Sequence, residues 1–507
     1  MPKAKVSKKK DKVKKIDVPI LKKEQDEKAS DFKKSYFVIE PFARIEIRLV
    51  EGNYIYNLIE PDLKEYKKDF EKIKSLMITE TQFSVEEVPD PEAYLVQKMD
   101  EIARKEKIKI PDEIKPFFVY YLKTEFLGLG RLEPLLKDKY IEDVSCNGPG
   151  VPLYIRHRVL GSLESNISFP EEELNSYIMR ISQKCKRFIS YAQPLLDGSL
   201  PDGSRVQATF GGGVSVKGPN FTIRRFRSIP LSPLDMIEFN TGSYELFAYF
   251  WEIIENGMSV LVSGGTATGK TSFLNSIALF IPPSLKVISI EDTPEINIPH
   301  ENWIQSVSRA GYGAENFGEI SMFDLLKASF RQRPDYIILG EVRGQEAYVL
   351  FQSMASGHPG LGTIHAESVD AIVERLLSPP INLSPALLEL LDVACILVFA
   401  PKISHNARRI KEIVEIMSIS SENQVRSNTV YRWVPIDDVF DFTGHSHVVS
   451  KISRMRGKTE DEIWVEIKEK EAILKKMKEK VTNYQDFFNL MSLYYTEKSA
   501  LLKKLGM

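Results

Sequence analysis

The stretch that decides the fold is 259–271, which reads Ser259-Val-Leu-Val-Ser263 and then Gly264-Gly-Thr-Ala-Thr-Gly269-Lys270-Thr271. It sets the pattern GxxxxGK[ST] between a predicted buried strand and a predicted helix, the context that a phosphate-binding loop requires. The glycines let backbone N–H groups close around phosphate oxygens, while Lys270 reaches the outer phosphates and the Thr271 hydroxyl binds Mg²⁺. This context disfavours a glycine-rich turn without nucleotide. The predicted nucleotide-binding residues are Gly264, Gly265, Thr266, Ala267, Thr268, Gly269, Lys270, Thr271 and Ser272.

The same strand–loop–helix order continues along the chain, with apolar runs at 287–290, 336–339 and 394–399. Uninterrupted apolar runs are typical of parallel strands that helices cover on both faces. The second half of the chain is therefore predicted to be α/β, with a doubly wound, mainly parallel sheet. Short β-rich runs between 141 and 226, broken by glycine and proline turns, predict a mixed α/β domain before it.

Two groups of carboxylates follow predicted strands. The segment Tyr336-Ile-Ile-Leu-Gly-Glu341 ends in an acid, where a nucleoside triphosphatase places the group that orients the attacking water. Alone, such a glutamate is simply solvated, and Gly340 stands where the usual aspartate would be. The segment Glu291-Asp-Thr-Pro-Glu295 is either an acidic turn closed by proline or a second set of acids at the same sheet edge. The candidate catalytic acids are Glu341, Glu291 and Glu295, and which of them is the base stays open.

Histidines and arginines complete the candidate site. His358 and His365 lie in a glycine-rich segment and are predicted to sense phosphate, although a single histidine is more often structural. Three arginines before the second half could bring guanidinium groups to a phosphate from another domain or subunit, or simply lie on an exposed strand edge. These arginines are Arg205, Arg224 and Arg225.

Composition excludes several classes of protein. A net charge of −2 gives no sign of a nucleic-acid binder. The three cysteines are far apart, which excludes a readable disulfide framework or zinc ribbon and fits a reducing cytosol. The longest apolar stretch, 387–401, contains two acids and is shorter than the ~20 residues of a membrane helix. The N-terminus is lysine-rich and has no apolar core, so no secretory signal peptide is predicted.

The predicted organisation begins with a tail, 1–35, that carries thirteen lysines against six acids. Such a composition is typical of disorder, and the tail is either a solvated arm or a polybasic segment attracted to an anionic membrane surface. The segment with Pro230 and Pro233 predicts a stiff hinge between two halves. The predicted domains are a tail at 1–35, a small α/β subdomain at 36–97, a helical segment with an α/β domain at 98–227, the hinge at 228–236, and a P-loop domain with C-terminal helices at 237–507.

In this order the motifs resemble the secretion ATPase superfamily, the motors of type II and type IV secretion, type IV pili and their archaeal relatives. The matching segments are the Walker A loop 264–271, the acidic box 291–295, the Walker B strand 336–341 with Arg343 after it, and the histidine box 357–365. The bacterial pilus-assembly members carry a four-cysteine zinc module, which is missing here. The long N-terminal region, the turn Asn147-Gly148-Pro149-Gly150 and the spelling of the acidic box look most like the archaeal branch, the archaellum motor ATPase or an archaeal type IV pilus assembly ATPase.

The resemblance implies a RecA-like P-loop domain in a hexameric, Mg²⁺-dependent ATPase at the cytoplasmic face of the cell membrane. Such a motor drives a polytopic membrane platform protein that assembles or rotates a filament, and no nucleic acid is expected as a partner. By the same resemblance Lys270 and Thr271 bind phosphate and Mg²⁺, and Glu341 polarises water. The histidines report the γ-phosphate, and the arginines close the site. The two prolines separately predict that hydrolysis switches the hinge at 228–236 between closed and open arrangements of the two halves.

Two other functions share the phosphate loop. A nucleic-acid-translocating motor would need a basic stripe with interleaved aromatic residues, which the sequence beyond the tail does not contain. A nucleotide-gated scaffold would bind ATP with negligible hydrolysis, and the intact Lys270, Thr271 and Glu341 argue against it.

Overall fold

The structure is a computed structural model, and it describes residues 34–80, 88–226, 230–309, 311, 318–404, 407–420 and 424–507. The predicted tail up to residue 33 and residues 228–229 of the predicted hinge lie outside the described residues. The chain divides into two compact units, Met1–Lys137 with Leu163–Asn166, and Asp138–Ser162 with Ile167–Met507. The predicted domain boundaries stay predictions.

The elements below are numbered in chain order within the described residues. The strands are β1 (Lys34–Ile39), β2 (Ala43–Val50), β3 (Asn53–Ile59), β4 (Ile141–Cys146), β5 (Tyr154–His157), β6 (Gly161–Ser165), β7 (Leu195–Ser199), β8 (Arg205–Thr209), β9 (Asn220–Arg224), β10 (Val260–Gly264), β11 (Val287–Glu291), β12 (Trp303–Val307), β13 (Tyr336–Val342), β14 (Gly360–Ile364), β15 (Val393–Phe399), β16 (Arg408–Ile419), β17 (Val425–Val434) and β18 (Val439–Phe442). The helices are α1 (Lys67–Glu80), α2 (Pro91–Lys105), α3 (Lys115–Phe126), α4 (Glu133–Lys137), α5 (Glu171–Lys184), α6 (Pro233–Glu238), α7 (Tyr244–Glu255), α8 (Lys270–Ala278), α9 (Met322–Ser329), α10 (Glu346–Ala355), α11 (Val369–Leu377), α12 (Pro385–Leu388), α13 (His447–Arg456), α14 (Glu460–Met477), α15 (Tyr484–Thr496) and α16 (Lys498–Leu505).

The first unit combines a small sheet with helices. Strands β1, β2 and β3 pair antiparallel in succession, and β3 also pairs with β6 in parallel. Helices α1, α2 and α3 enclose a separate apolar cluster to which they contribute Ile73, Met99 and Phe118. Asp90 begins α2 by accepting a hydrogen bond from the backbone N–H of Ala93, the usual role of an aspartate before a helix.

The second unit begins with an antiparallel sheet in the order β5-β4-β9-β8-β7. Helix α5 packs on this sheet through aromatic rings, since Tyr177 lies with its ring centroid 5.8 Å from that of Phe221 on β9. Three glutamates at the start of α5, Glu171 to Glu173, favour the positive end of the helix dipole. Two of the predicted site arginines lie in this sheet, Arg205 at the start of β8 and Arg224 at the end of β9, and Arg225 follows β9 directly.

The larger sheet of the second unit has the order β12-β11-β13-β14-β10-β15-β16-β17-β18. Its strands from β12 to β15 run parallel, and β16, β17 and β18 are antiparallel. The phosphate-loop strand β10 lies in the middle, and β14 separates it from β13. The carboxyl ends of β10, β11, β13 and β14 therefore meet at one edge.

Both faces of this sheet are covered. Neighbouring residues of β10 point to opposite faces, and Val260 and Val262 belong to one apolar cluster while Leu261 belongs to another. The first cluster includes residues of α7, α8 and the C-terminal helices α13 to α16, and the second includes residues of α9 to α12. The predicted fold class, a doubly wound α/β sheet after a mixed α/β domain, is confirmed.

The C-terminal helices join the sheet through buried charges. Glu415 on β16 is fully buried, and its carboxylate accepts hydrogen bonds from five donors. The donors are the hydroxyls of Tyr249 and Ser446, the side-chain amide of Asn428, and the backbone N–H groups of His447 and Val448. A buried carboxylate needs such partners, because leaving it without them costs several kcal/mol, on the order of the penalty for an unpaired buried charge.

A second buried pair joins α14 to α7. Lys470 forms an ion pair with Glu252, and both side chains are almost fully buried. Thr459 begins α14 with a capping box, in which its side chain and that of Glu462 exchange hydrogen bonds with each other's backbone N–H. Among the described helices, none combines the length and the apolar character that crossing a bilayer requires.

Candidate nucleotide site

The phosphate loop joins the end of β10 to the start of α8. Its backbone takes positive φ angles at Gly264 (+152°), Ala267 (62°) and Gly269 (+87°). A Cβ atom on Gly264 would lie 2.5 Å from the backbone oxygen of Leu397, so no side chain fits at that position. The loop is thus a curved run of backbone at a helix N-terminus, a shape that binds anions.

Lys270 points back into this loop. Its Nζ donates to the carbonyl oxygens of Gly264 (3.1 Å) and Gly265 (2.9 Å), and the side chain is nearly buried. Burial lowers the pKa of Lys270 below its usual value, so a negative charge bound near the ammonium would stabilise its charged form. A polyphosphate in the loop would supply that negative charge, and the residues present therefore fit that group.

Glu341 on β13 faces the loop from the other side. Its Oε2 accepts from the Arg343 guanidinium at 2.5 Å, and Arg343 also lies 3.7 Å from Asp292. Burial alone would raise the pKa of Glu341, but the hydrogen bond and charge of Arg343 outweigh it and hold this pKa below its ordinary value. Glu341 is therefore an ionised carboxylate with its charge directed into the site.

His365 connects the lysine to the glutamate. Its Nε2 lies 3.2 Å from Glu341 Oε1, and its Nδ1 lies 3.4 Å from Lys270 Nζ. This follows from strand order, because His365 comes directly after β14, which lies between β10 and β13. Burial, and then the charge of Lys270, lower the pKa of His365, so the imidazole is neutral at pH 7.

The structure places His358 elsewhere. His358 precedes β14 and His365 follows it, so the two lie at opposite edges of the sheet. The His358 ring is near Phe330, with centroids 6.5 Å apart, and its backbone N–H donates to Ser353. The structure brings only His365 into this site, and a phosphate-sensing role for His358 stays a prediction.

The acidic box lies beside Glu341. Glu291 ends β11 with its side chain buried, and its Oε1 accepts from the backbone N–H groups of Glu295 and Ile296, both at 2.7 Å. Its Oε2 accepts from Gln305 at 3.1 Å. Burial raises the pKa of Glu291 to about 7, despite these hydrogen bonds. A cation at this edge would favour the ionised form.

A small cleft of about 50 Å³ brings together four of the six predicted catalytic residues and one predicted nucleotide-binding residue, Thr271. It is lined by Arg205, Thr271, Glu291, Asp292, Thr293, Glu295, Met322, Gly340, Glu341 and Arg343. Within the described part of the chain, no cluster of three or more His, Cys, Asp or Glu is arranged to hold a metal. Proteins usually bind Mg²⁺ through one or two side chains together with substrate phosphates and waters, and Thr271 is the cleft residue whose hydroxyl could serve in this way.

The three predicted arginines have different surroundings. Arg205 lines the cleft and pairs with Asp197 at 3.3 Å. Arg224 lies 3.9 Å from Asp143 and is close enough to Lys270 for its charge to act on it. Arg225 donates to the backbone oxygen of Asp138 instead. The structure thus places Arg205 in the lining of the cleft, whereas the Arg225 guanidinium bonds to the backbone just before β4.

Sequence reasoning missed two residues that hold the backbone of the site, Arg408 at the phosphate loop and Asn275 at the acidic box. Arg408 donates from Nε to the Ala267 carbonyl at 2.9 Å and lies 3.9 Å from Glu142 on β4. Asn275, one turn into α8 after Thr271, bonds twice to the backbone after the acidic box. Neither residue belongs to a motif. In the sequence, Arg408 is only a polar residue at the start of β16, and Asn275 is only a polar residue on the apolar face of α8.

The sequence profile of one family matches residues 138–433, which contain the loop, the acidic box, Glu341 and His365. The chain belongs to the type II/IV secretion system protein family. The predicted resemblance is confirmed at this level. The match begins at the boundary of the second unit and ends before the helices α13 to α16.

Relatives of this secretion family member include an uncharacterized protein of Methanocaldococcus jannaschii, 40% identical over 377 residues that cover 73% of this chain and 68% of the relative. The type IV secretion system protein PtlH of Bordetella pertussis is 30% identical over 275 residues, which cover 49% of this chain and 79% of PtlH. The VirB11 ATPase of the Brucella suis type IV secretion system, crystallised with sulphate, is 24% identical. Its match covers 56% of this chain and 95% of VirB11, with a TM-score of 0.28.

Proposed function

We propose that this protein is a motor that hydrolyses ATP to drive a secretion or filament machine. The observation that carries the proposal is the line of contacts from Lys270 through His365 to Glu341 and Arg343, which joins the phosphate loop to an ionised carboxylate. A carboxylate close to the outer phosphates, but held apart from the lysine, is positioned to orient water rather than to neutralise the loop. A scaffold that only binds nucleotide has no need of this arrangement.

Each side chain then has a role in hydrolysis. The loop residues 264–272 hold the phosphates, Thr271 would bind Mg²⁺, and the metal would supply positive charge that the transferring phosphoryl group needs. Glu341 orients the water. Glu291 and Glu295 share the acidic side of the cleft, and Arg205 closes it. Among the acids, Glu341 is the strongest candidate to orient the water, because it contacts His365, which in turn contacts Lys270 of the phosphate loop.

The finer function follows the family and its archaeal relatives. We infer that the chain forms a hexameric ring at the cytoplasmic face of the membrane and works through a polytopic platform protein. The work is assembly or rotation of an archaeal filament of the type IV pilus class, such as the archaellum. Support comes from the family match and from the 40% identical protein of Methanocaldococcus jannaschii, while PtlH is named as a secretion system protein. The lysine-rich tail would add attraction to anionic lipids.

The test is Mg²⁺-dependent ATP hydrolysis by the wild type and by Glu341→Gln, with oligomer mass followed by light scattering. Glutamine keeps the shape but not the charge, so turnover should fall by about 10²-fold or more while ATP binding remains. Glu479→Gln removes a carboxylate of an exposed pair and serves as the matched control. Equal turnover by Glu341→Gln and wild type would contradict the assignment.

Vesicles with and without anionic lipid, and DNA, separate the finer possibilities. Hydrolysis that rises with anionic vesicles, in a hexamer that nucleotide stabilises, supports the membrane motor. Stimulation by DNA alone would instead indicate a nucleic-acid translocase. Tight ATP binding without hydrolysis by the wild type would indicate a nucleotide-gated scaffold.

A further inference from the structure

The backbone that follows the acidic box passes between two helices. On one side, Asn275 of α8 donates from Nδ2 to the Glu295 carbonyl at 2.9 Å and accepts from the Asn297 N–H at 2.8 Å. The Asn275 side chain thus bonds to a C=O and to an N–H two residues apart, as the backbone of a neighbouring β-strand would. Asn275 is buried, so water does not compete for these bonds.

On the other side lies a C-terminal helix. Tyr484, at the start of α15, donates its hydroxyl to the Asn297 carbonyl at 2.9 Å. Four residues further along α15, the ring of Phe488 lies 5.1 Å from that of His300. Asn297 is therefore held by α8 through its N–H and by α15 through its C=O.

This segment in turn holds Glu291. The N–H groups of Glu295 and Ile296 are the donors that fix Glu291 Oε1, and Gln305 fixes the other oxygen while also donating to the Ile296 carbonyl. If the segment shifts, these donors shift with it, and the direction of the carboxylate changes. Small displacements of a catalytic group by about 1 Å cost up to about 10²-fold in rate.

We propose that Asn275 and Tyr484 are positioning residues for Glu291, and that α15 thereby sets the rate of hydrolysis. This inference rests on the proposed function. It assigns a task to helices that lie beyond the family match, which ends at residue 433. The P-loop helix and the C-terminal helix would act on the acidic side of the site through a single stretch of backbone, without touching the phosphates.

The sharpest test compares two tyrosines of the same helix. Tyr484→Phe removes the hydroxyl that holds Asn297, whereas Tyr495→Phe removes a hydroxyl that donates to the Phe280 carbonyl away from the acidic box. We expect Tyr484→Phe to lower kcat by about 10-fold with KM changed less than about twofold, because the loss affects the chemical step and not ATP binding. Tyr495→Phe should keep the wild-type kcat.

Asn275→Ala provides the second arm and should lower kcat at least as much. Since both residues hold the same segment, the double variant should lose less than the product of the two single losses. Asn256→Ala removes a half-buried asparagine whose side-chain amide donates to Glu252 at the end of α7, and controls for the loss of an asparagine amide away from the acidic box. Thermal unfolding of each variant reports any loss of fold separately from kcat.

Each outcome decides. Equal kcat for Tyr484→Phe and Tyr495→Phe overturns the inference and leaves the proposed function intact. A rise in KM with unchanged kcat also overturns it, since the segment would then serve ATP binding. Absence of hydrolysis by the wild type overturns the proposed function and this inference together.

Discussion

The phosphate loop and the acidic box lie at the same edge of one sheet, but they are held in different ways. In the loop, Lys270 bonds to carbonyls five and six residues away. In the acidic box, Glu291 depends on a backbone segment that is held from α8 and from Tyr484, 187 residues beyond the Asn297 carbonyl it contacts. Apart from the bond from Arg408 to Ala267, the hydrogen bonds within the loop thus come from nearby residues, whereas the acidic box is held by tertiary structure.

This difference predicts different kinds of sensitivity. Substitutions in the loop should act directly on the phosphates and on the loop's own backbone. Substitutions far from the acidic box should reach it through packing and change the rate with little effect on binding.

The largest effect is expected for Lys270→Ala. Removing the ammonium that reaches the phosphates should reduce ATP hydrolysis by at least about 10²-fold. The Tm should stay equal or rise, because burial already disfavours this charge in the nucleotide-free protein. Steady-state ATPase assays and calorimetry check both points, and retained hydrolysis would remove the loop from the site.

A smaller effect is expected for Gly264→Ala. The new Cβ would meet the Leu397 backbone oxygen at 2.5 Å with φ at +152°, and backbone yields less readily than a side chain. We expect a loss of about 2–3 kcal/mol in the free energy of unfolding.

Gly265→Ala is the matched comparison, because its Cβ meets only the end of the Glu367 side chain at 3.2 Å. Urea unfolding of the two variants should therefore separate them. If both lose the same stability, the loop is not constrained by the geometry described here.

The smallest effect concerns His300, which packs in the segment after the acidic box. Its Nε2 contacts the Ile281 carbonyl at 3.0 Å, and burial lowers its pKa below the usual 6.5. Below pH 6.5 the unfolded chain binds a proton that the folded chain resists, so this group lowers stability as the pH falls. His300→Gln should therefore show a shallower loss of stability between pH 7.5 and pH 5.5, by urea unfolding. If the free energy of unfolding falls equally with pH in the variant and the wild type, His300 does not contribute to the acid sensitivity of the fold.

The locally encoded features were the ones that the sequence predicted. The loop, the doubly wound sheet and the positions of Glu291 and Glu341 at its carboxyl edge follow from motifs and apolar runs shorter than ten residues. Strand order does not follow from chain order. That β14 separates β10 from β13 is what brings His365 between Lys270 and Glu341, and it leaves His358 at the far edge.

Contacts between distant segments left no readable signal. Arg408 and Ala267 are 141 residues apart, and Asn275 is an ordinary polar residue in a helix until the segment at 295–297 is placed beside it. A tyrosine near the end of the chain gives no sign that it contacts the segment after the acidic box. These residues are determined by packing, which a single sequence does not display.

The hydrogen bonds of Glu415 have a practical consequence for how the chain can be shortened. The match to the family model ends at residue 433, and a fragment cut there would contain every motif of the site. Yet Ser446, His447 and Val448 supply three of the five donors to this buried carboxylate. Such a fragment would carry an under-solvated anion in its interior and an uncovered apolar face. The limit of the family match therefore lies inside the stretch of chain that completes the surroundings of Glu415.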